Sequence, residues 1–288
     1  MPQIKFVKIS HILNPTSIGL GEYVINPFLG CEYGCLYCYV KTNKVTSKKI
    51  EPWGSFVEIR VNAPRLLEKE ILKKRPKVVL MGSTTDCFQP IDKSYKITAS
   101  CLEILNRYGV YYNILTRSPN ILEYLGLLSQ GFCKTIYFTI NNLPERIKTK
   151  LENKSPDYLS RIEAIKRLKD AGLNVIPYFS PILPGVSNPK DIFTTLPDFK
   201  RIEFEGLNFM STNIKAINEV IVESYPSLGH LYQRLSSEES LYNIYWEKIK
   251  NQIKTEAKKN NKEFSIYIHK LSSFFTNNYF YSSTYEQI

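Results

Sequence analysis

The chain has 288 residues, 43% of them hydrophobic and 23% charged, enough for one large domain or a domain with an appendage. Its 38 basic and 27 acidic residues leave a net charge of +11, which suits a polyanionic partner such as nucleic acid but also follows from lysine-rich composition, since the lysines are dispersed. No apolar run approaches roughly eighteen residues, and Met1–Lys8 carries no export pattern. The expectation is a cytoplasmic protein in a reducing setting, with no membrane partner.

Residues 1–21, with Pro2, Asn14-Pro15 and Gly19/Gly21, read as an N-terminal arm. Glu22–Asn26 is a short strand that runs straight into Asn26-Pro27-Phe28-Leu29-Gly30-Cys31-Glu32-Tyr33-Gly34-Cys35-Leu36-Tyr37-Cys38-Tyr39. A Lys- and Thr-rich connection reaches about Lys49, followed by Trp53 and the run Phe56–Val61. Asn62-Ala63-Pro64 opens a helix that ends before Pro76. Val78–Met81 is an apolar strand, stopped by Gly82-Ser83-Thr84-Thr85-Asp86. Ile97, Cys101, Ile104 and Leu105 lie on one face of a helix closed by Gly109.

Strand Tyr111–Leu115 leads into Thr116-Arg117-Ser118, and Pro119 opens a helix that stops at Gly131. Thr135–Ile140 is a strand, and Ser155-Pro156-Asp157 starts a helix with Gly172 as its stop. Val175–Phe179 is a strand before the turn Pro181–Gly185; Asn188-Pro189 starts a helix, and Ile202–Phe209 is the last strand. About six alternations of strand and helix predict an α/β fold with a parallel sheet and right-handed crossovers, over residues 22–210. Residues 211–288 form a C-terminal extension, mostly helical and aromatic-rich. It has an amphipathic stretch through Leu241, Ile244, Tyr245 and Ile249, and a Phe264–Ile268 run. An aromatic tail, Phe274 to Tyr281, either packs on the core, caps the barrel or meets a substrate.

Cys31, Cys35 and Cys38 are spaced CxxxCxxC. Iron–sulfur carriers use four cysteines, so three leave one iron of a cubane without a protein ligand. An open coordination position belongs to a catalytic metal rather than a structural one. A zinc site would need a fourth ligand nearby, but the next cysteine is Cys87, and His11, His230 and His269 are distant in sequence. A disulfide framework does not suit a chain of this length with no secretory signal.

The carboxyl ends of parallel strands are where α/β barrels place reacting groups. Those positions hold Ser83, Thr84, Thr85, Asp86, Thr116, Arg117, Ser118, Thr139, Asn141, Ser180 and Asn208, hydroxyls and amides suited to a zwitterionic amino acid and a ribose. Arg117 offers a fork for a carboxylate. Ser118 is equally a helix N-cap before Pro119, and Asp86 can satisfy amides of its own turn.

CxxxCxxC resembles the signature of the radical S-adenosylmethionine (radical SAM) superfamily, and six units match its partial (β/α)6 barrel core. Further segments are similar to the spore photoproduct lyase-like group within it. These are Trp53…Phe56–Asn62, Thr85-Asp86-Cys87-Phe88-Gln89-Pro90-Ile91-Asp92, Thr116-Arg117-Ser118, Leu151-Glu152-Asn153…Arg161 and Pro181–Gly185. The resemblance implies a 4Fe–4S cluster on Cys31, Cys35 and Cys38, chelated at its free iron by S-adenosylmethionine. A reductant such as flavodoxin or ferredoxin feeds it, and a 5′-deoxyadenosyl radical is released. It also implies that Thr85 and Arg117 contact the cofactor carboxylate, that Glu152 pairs with Arg161 near the cofactor, and that Tyr37 and Tyr39 take part in adenine packing and radical transfer.

The pattern departs from the group at Cys87, Asp92, Ala99 and Arg117, and Ser83 stands where the lyase has its hydrogen-donating cysteine. Cys87 is therefore read either as a substitute hydrogen donor or as a buried, inert cysteine. The expected function is a radical SAM enzyme. Its alternatives are a nucleic-acid repair or modification enzyme with the same chemistry, and a non-enzymatic zinc or iron–sulfur nucleic-acid-binding protein.

Overall fold

The computed structural model describes residues 2–210 and 213–271. In chain order it contains β1 (Gln3–Val7), β2 (Asn14–Pro15), β3 (Tyr23–Ile25), β4 (Phe28–Leu29), β5 (Phe56–Arg60), α1 (Ala63–Lys74), β6 (Val78–Met81), α2 (Asp92–Tyr95), α3 (Ile97–Arg107), β7 (Tyr111–Thr116), α4 (Leu125–Ser129), β8 (Cys133–Ile140), α5 (Glu145–Leu151) and α6 (Tyr158–Asp170). There follow β9 (Val175–Ile182), α7 (Asp191–Thr195), β10 (Arg201–Gly206), α8 (Ile214–Ser224), α9 (Gly229–Ser237), α10 (Glu239–Lys259) and β11 (Glu263–Tyr267). The fold is α/β with a mostly parallel sheet, in keeping with the partial barrel expected. No helix among the described residues is long and apolar enough to cross a membrane.

Two compact units divide the chain. The first comprises Met1–Gly34, Lys48–Thr139 and Lys154–Ile176; the second comprises Cys35–Ser47, Ile140–Asn153 and Pro177–Ile288. In the first, the strands run β2-β3-β6-β7-β8, parallel from β3 onward, with Ile25 beside Met81 and Met81 beside Ile114. Val79, Leu80, Met81, Ile114 and Ile136 have no solvent contact, which is why these strands read as continuous apolar runs. A second sheet, β1-β5-β4, encloses Phe28, Val57 and Ile59.

In the second unit β9, β10 and β11 are parallel neighbours, with Glu203 beside Tyr178 on one side and beside Ser265 on the other. Period-two alternation gives this sheet two unlike faces. Phe204 packs on Phe179 and on Phe193 of α7, and α10 packs on β11. The opposite face carries Tyr178, Ser180, Glu203, Glu205, Ser265 and Tyr267.

Several elements differ from expectation. Pro119–Tyr124 is a 3-10 turn, and only Leu125–Ser129 is α-helical. β9 runs through Pro181 and Ile182 instead of turning there, while β10 stops at Gly206. The Phe264 run is a strand that pairs in parallel with β10. The tail Phe274–Tyr281 lies outside the described residues.

The N-terminal segment is tied to α1 by one buried carboxylate. Glu70 accepts from the amides of Ile12 (3.2 Å) and Leu13 (3.0 Å), from His11 Nδ1 (3.2 Å) and from Lys74 Nζ (2.8 Å). Burial pushes its pKa up, but Lys74 and the two amides outweigh that and hold it below 4.5. Its stabilising contribution is therefore complete above the unfolded value and is lost as pH falls through the lower folded one. Glu70→Ala is expected to cost about 1–3 kcal/mol in urea unfolding at neutral pH. The gap to wild type is expected to narrow as pH falls through the lowered folded value; a gap that does not change with pH would contradict the assignment.

Candidate active site

The cysteine loop is shaped before any ligand is considered. β4 pairs antiparallel with β5, and Gly30 then turns the chain at φ +91°, where a Cβ would lie 2.3 Å from the Phe56 carbonyl oxygen. Gly34 (φ +56°) meets Gly54 backbone to backbone, and a Cβ on it would lie 2.9 Å from Gly54 Cα. The Gly34 amide donates to Cys31 O (3.2 Å), the Cys38 amide to Cys35 O (3.1 Å) and the Leu36 amide to Leu151 O (2.8 Å). Cys31 falls in the first unit, Cys35 and Cys38 in the second.

None of the three is in a disulfide; Cys31 and Cys35 are buried and Cys38 is half-buried. Among the described residues no three His, Cys, Asp or Glu side chains are gathered as around a single metal ion. A cubane differs from such an ion in that each thiolate binds its own iron. Three thiols are the soft donor set that iron–sulfur chemistry requires.

In the first unit the strand-end polar residues bind mostly one another. Asp86 accepts from the Phe88 and Arg117 amides (both 2.9 Å) and from Thr116 Oγ1 (2.8 Å). Burial pushes its carboxyl up, while those bonds and the Arg117 charge pull it back, leaving it above its ordinary value. Arg117 itself is half-buried. Ser118 Oγ donates to Phe88 O (2.6 Å) and accepts from Tyr33 OH (2.7 Å) and the Asn120 amide (3.3 Å), which fills the hydroxyl's capacity and makes Ser118 an N-cap.

Thr85 Oγ1 donates to Gly30 O (2.6 Å) and accepts from Gln89 Nε2 (3.0 Å). Thr139 is buried near the end of β8. Arg161 is 1% exposed and its Nε donates to Pro156 O (3.0 Å). Cys87 has no exposed surface, and burial pushes its thiol well above the usual range.

In the second unit the two tyrosines part company. Tyr37 is buried and its hydroxyl donates to Glu152, which also accepts from Asn141 Nδ2 (2.7 Å). Tyr39 is 36% exposed and begins a 3-10 turn. At the carboxyl edge of the polar face, Ser180 Oγ donates to Glu205 Oε2 (2.5 Å) and His269 Nε2 lies 3.1 Å from Glu205 Oε1. Burial pushes Glu205 up, yet His269, Ser180 and Tyr178 hold it below the ordinary value. The sequence reading missed Gln89, Glu205 and His269. The alternation Arg201-Ile202-Glu203-Phe204-Glu205 carried the signal for Glu205.

Comparison with known proteins gives consistent results. The chain is 29% identical over 249 residues to the uncharacterized protein MJ0683 of Methanocaldococcus jannaschii, covering 86% of this chain and 92% of that one. It is 25% identical over 270 residues to the uncharacterized protein ORF301 of Acidianus two-tailed virus, covering 86% and 81%. Among solved structures, spore photoproduct lyase complexed with dinucleoside spore photoproduct matches at TM-score 0.58 and 18% identity, over 77% of this chain and 66% of the lyase. A cysteine-to-serine mutant of the lyase matches at TM-score 0.60 and 19% identity, over 82% and 69%. These two likenesses are of fold. The model of the Radical SAM superfamily matches residues 25–195, more than half of the chain and including the whole cysteine loop. The chain thus belongs to the radical SAM superfamily and is an enzyme of the radical SAM type.

Proposed function

We propose that Cys31, Cys35 and Cys38 hold a 4Fe–4S cluster whose free iron takes S-adenosylmethionine, and that the enzyme acts by radical chemistry on a substrate still to be identified. The cysteine loop, with three cysteines outside any disulfide on a glycine-shaped backbone, is the observation that carries this reading. With both groups bound, the site supplies one-electron cleavage of the sulfonium bond to a 5′-deoxyadenosyl radical, the electron coming from a flavodoxin- or ferredoxin-type donor.

The chain's own residues divide into scaffold and contact. Ser118 and Asp86 spend their polar atoms on the loops that carry them, so we assign them to the scaffold, and Thr85 with them. Arg117 and Thr139 remain the proposed cofactor contacts of the first unit. Tyr37, with Glu152 and Asn141 behind it, holds the second half of the loop, and Tyr39 is the more accessible ring. Cys87 has no surface from which to meet a substrate, and we assign it to the core.

A second reading, nucleic acid as substrate, has two supports: the net charge of +11 and the fold shared with a lyase solved with a dinucleoside photoproduct. Salt-dependent retention on single- and double-stranded DNA separates the readings, and retention no stronger than that of a neutral column removes the second.

Three outcomes test the first reading. Replacing any one of the three cysteines by Ala is expected to abolish the iron–sulfur absorbance of anaerobically reconstituted protein and 5′-deoxyadenosine formation under dithionite. A triple variant that still cleaves the cofactor would refute it. Arg117→Ala is expected to weaken S-adenosylmethionine binding by about 1.5–3 kcal/mol, the worth of a charge-assisted contact, with iron content unchanged. Unaltered affinity by calorimetry would make Arg117 a scaffold residue too. Cys87→Ala is expected to leave the set of 5′-deoxyadenosine-derived products unchanged by mass spectrometry; a new adduct would restore the hydrogen-donor role.

A further inference from the structure

Gln89 is bonded to the peptide group that follows Cys31 and, through Thr85, to the one that precedes it. It has no exposed surface. Its Oε1 accepts from the Glu32 amide at 2.8 Å, and that amide belongs to the peptide following Cys31. Its Nε2 donates to Thr85 Oγ1 at 3.0 Å, and Thr85 Oγ1 donates to Gly30 O at 2.6 Å, the carbonyl of the peptide preceding Cys31. The grip is returned from Glu32, whose Oε2 accepts from the Ile91 amide at 2.5 Å. Cys31 O is itself taken by the Gly34 amide.

A cysteine has two soft backbone angles, and the peptide planes on either side set them. With both planes fixed, the direction of the Cα–Cβ bond is fixed, and only the χ1 rotamer remains for the thiolate. Gln89 is itself held: its amide donates to Asp86 O (3.3 Å) and its carbonyl accepts from the Asp92 amide (3.0 Å). Asp92 in turn caps α3 through the Thr98 amide at 3.0 Å.

We propose that Gln89, acting through Thr85 and the Glu32 amide, is a positioning residue that presets Cys31 for iron. The inference rests on the cluster reading of the previous section. It deepens that reading by naming the side chains that hold the backbone on both sides of Cys31. Removing such outer hydrogen bonds from a ligand typically weakens metal affinity by about 10–100-fold. The clamp is prepaid in the folded chain, so its loss is read in iron retention, whatever the substrate.

The test compares Gln89→Met, which keeps volume and loses both hydrogen bonds, with Thr98→Val. Thr98 Oγ1 donates to Cys87 O (2.6 Å), a buried bond in the same loop that does not touch Cys31. Reconstituted proteins are challenged with an iron chelator under anaerobic conditions, and loss of iron–sulfur absorbance is timed beside melting temperature. Gln89→Met is expected to release iron about 10–100-fold faster than wild type. Thr98→Val is expected to release it at the wild-type rate at a comparable loss of melting temperature. Thr85→Ser, which keeps the hydroxyl, is expected to behave as wild type. Equal release from Gln89→Met and Thr98→Val would overturn the inference and leave Gln89 as loop packing. A wild-type protein that takes up no iron or sulfide would instead remove the cluster reading, and this inference with it.

Discussion

Two backbone approaches that only glycine permits set where the cysteine loop lies. Gly30 passes so close to the Phe56 carbonyl, and Gly34 so close to Gly54 Cα, that a side chain at either place would overlap main-chain atoms that cannot yield. Positive φ at both adds a second reason for glycine. The loop is thus laid against the backbone around β5, and β5 is itself paired on both edges, by β1 and β4. Whatever Cys31 binds, the course of the chain around it is set by this backbone contact before any ligand.

The polar residues at the strand ends show why residue type and position do not by themselves identify a binding group. Asp86, Ser118 and Thr85 have the side chains and the places that a small zwitterion would call for, yet each spends its hydrogen-bonding atoms on neighbouring main chain. Buried polar groups without partners are costly, so a chain that carries many of them at one edge uses most of them on itself. The Glu205–His269–Ser180 cluster is the counterpart in the second unit. It assembles from β9, β10 and a residue just beyond the end of β11.

Most of the fold was legible because strand and helix wrote distinct periods. Val78–Met81 and α1 fall where apolar runs and Asn62-Ala63-Pro64 put them. The CxxxCxxC loop was legible because three thiols in eight residues have few chemical uses. The 3-10 turn at Pro119–Tyr124 was not, since a proline start serves both helix types and only tertiary packing chooses between them. Gln89 was hidden for a different cause. A glutamine in a polar loop has no periodicity and no reactive atom, and its importance arises only when Gly30, Glu32 and Thr85 come to it. His269 likewise acquires a partner only through the parallel pairing of β10 with β11.

That pairing has a consequence for how the chain is made. β10 can bond to β9 as soon as it is synthesised, but its other edge waits for residues 263–267, beyond the whole of α8, α9 and α10. The entropic cost of closing so long a connection grows slowly, about 0.6 kcal/mol per doubling, so the delay is one of time more than of free energy. In the interval the nascent protein offers a bare, parallel-competent strand edge with alternating Ile202 and Phe204, the kind of template that recruits other chains. Arg201, Glu203 and Glu205, charged at every second position of that strand, are then gatekeepers of biosynthesis as well as occupants of the finished polar face.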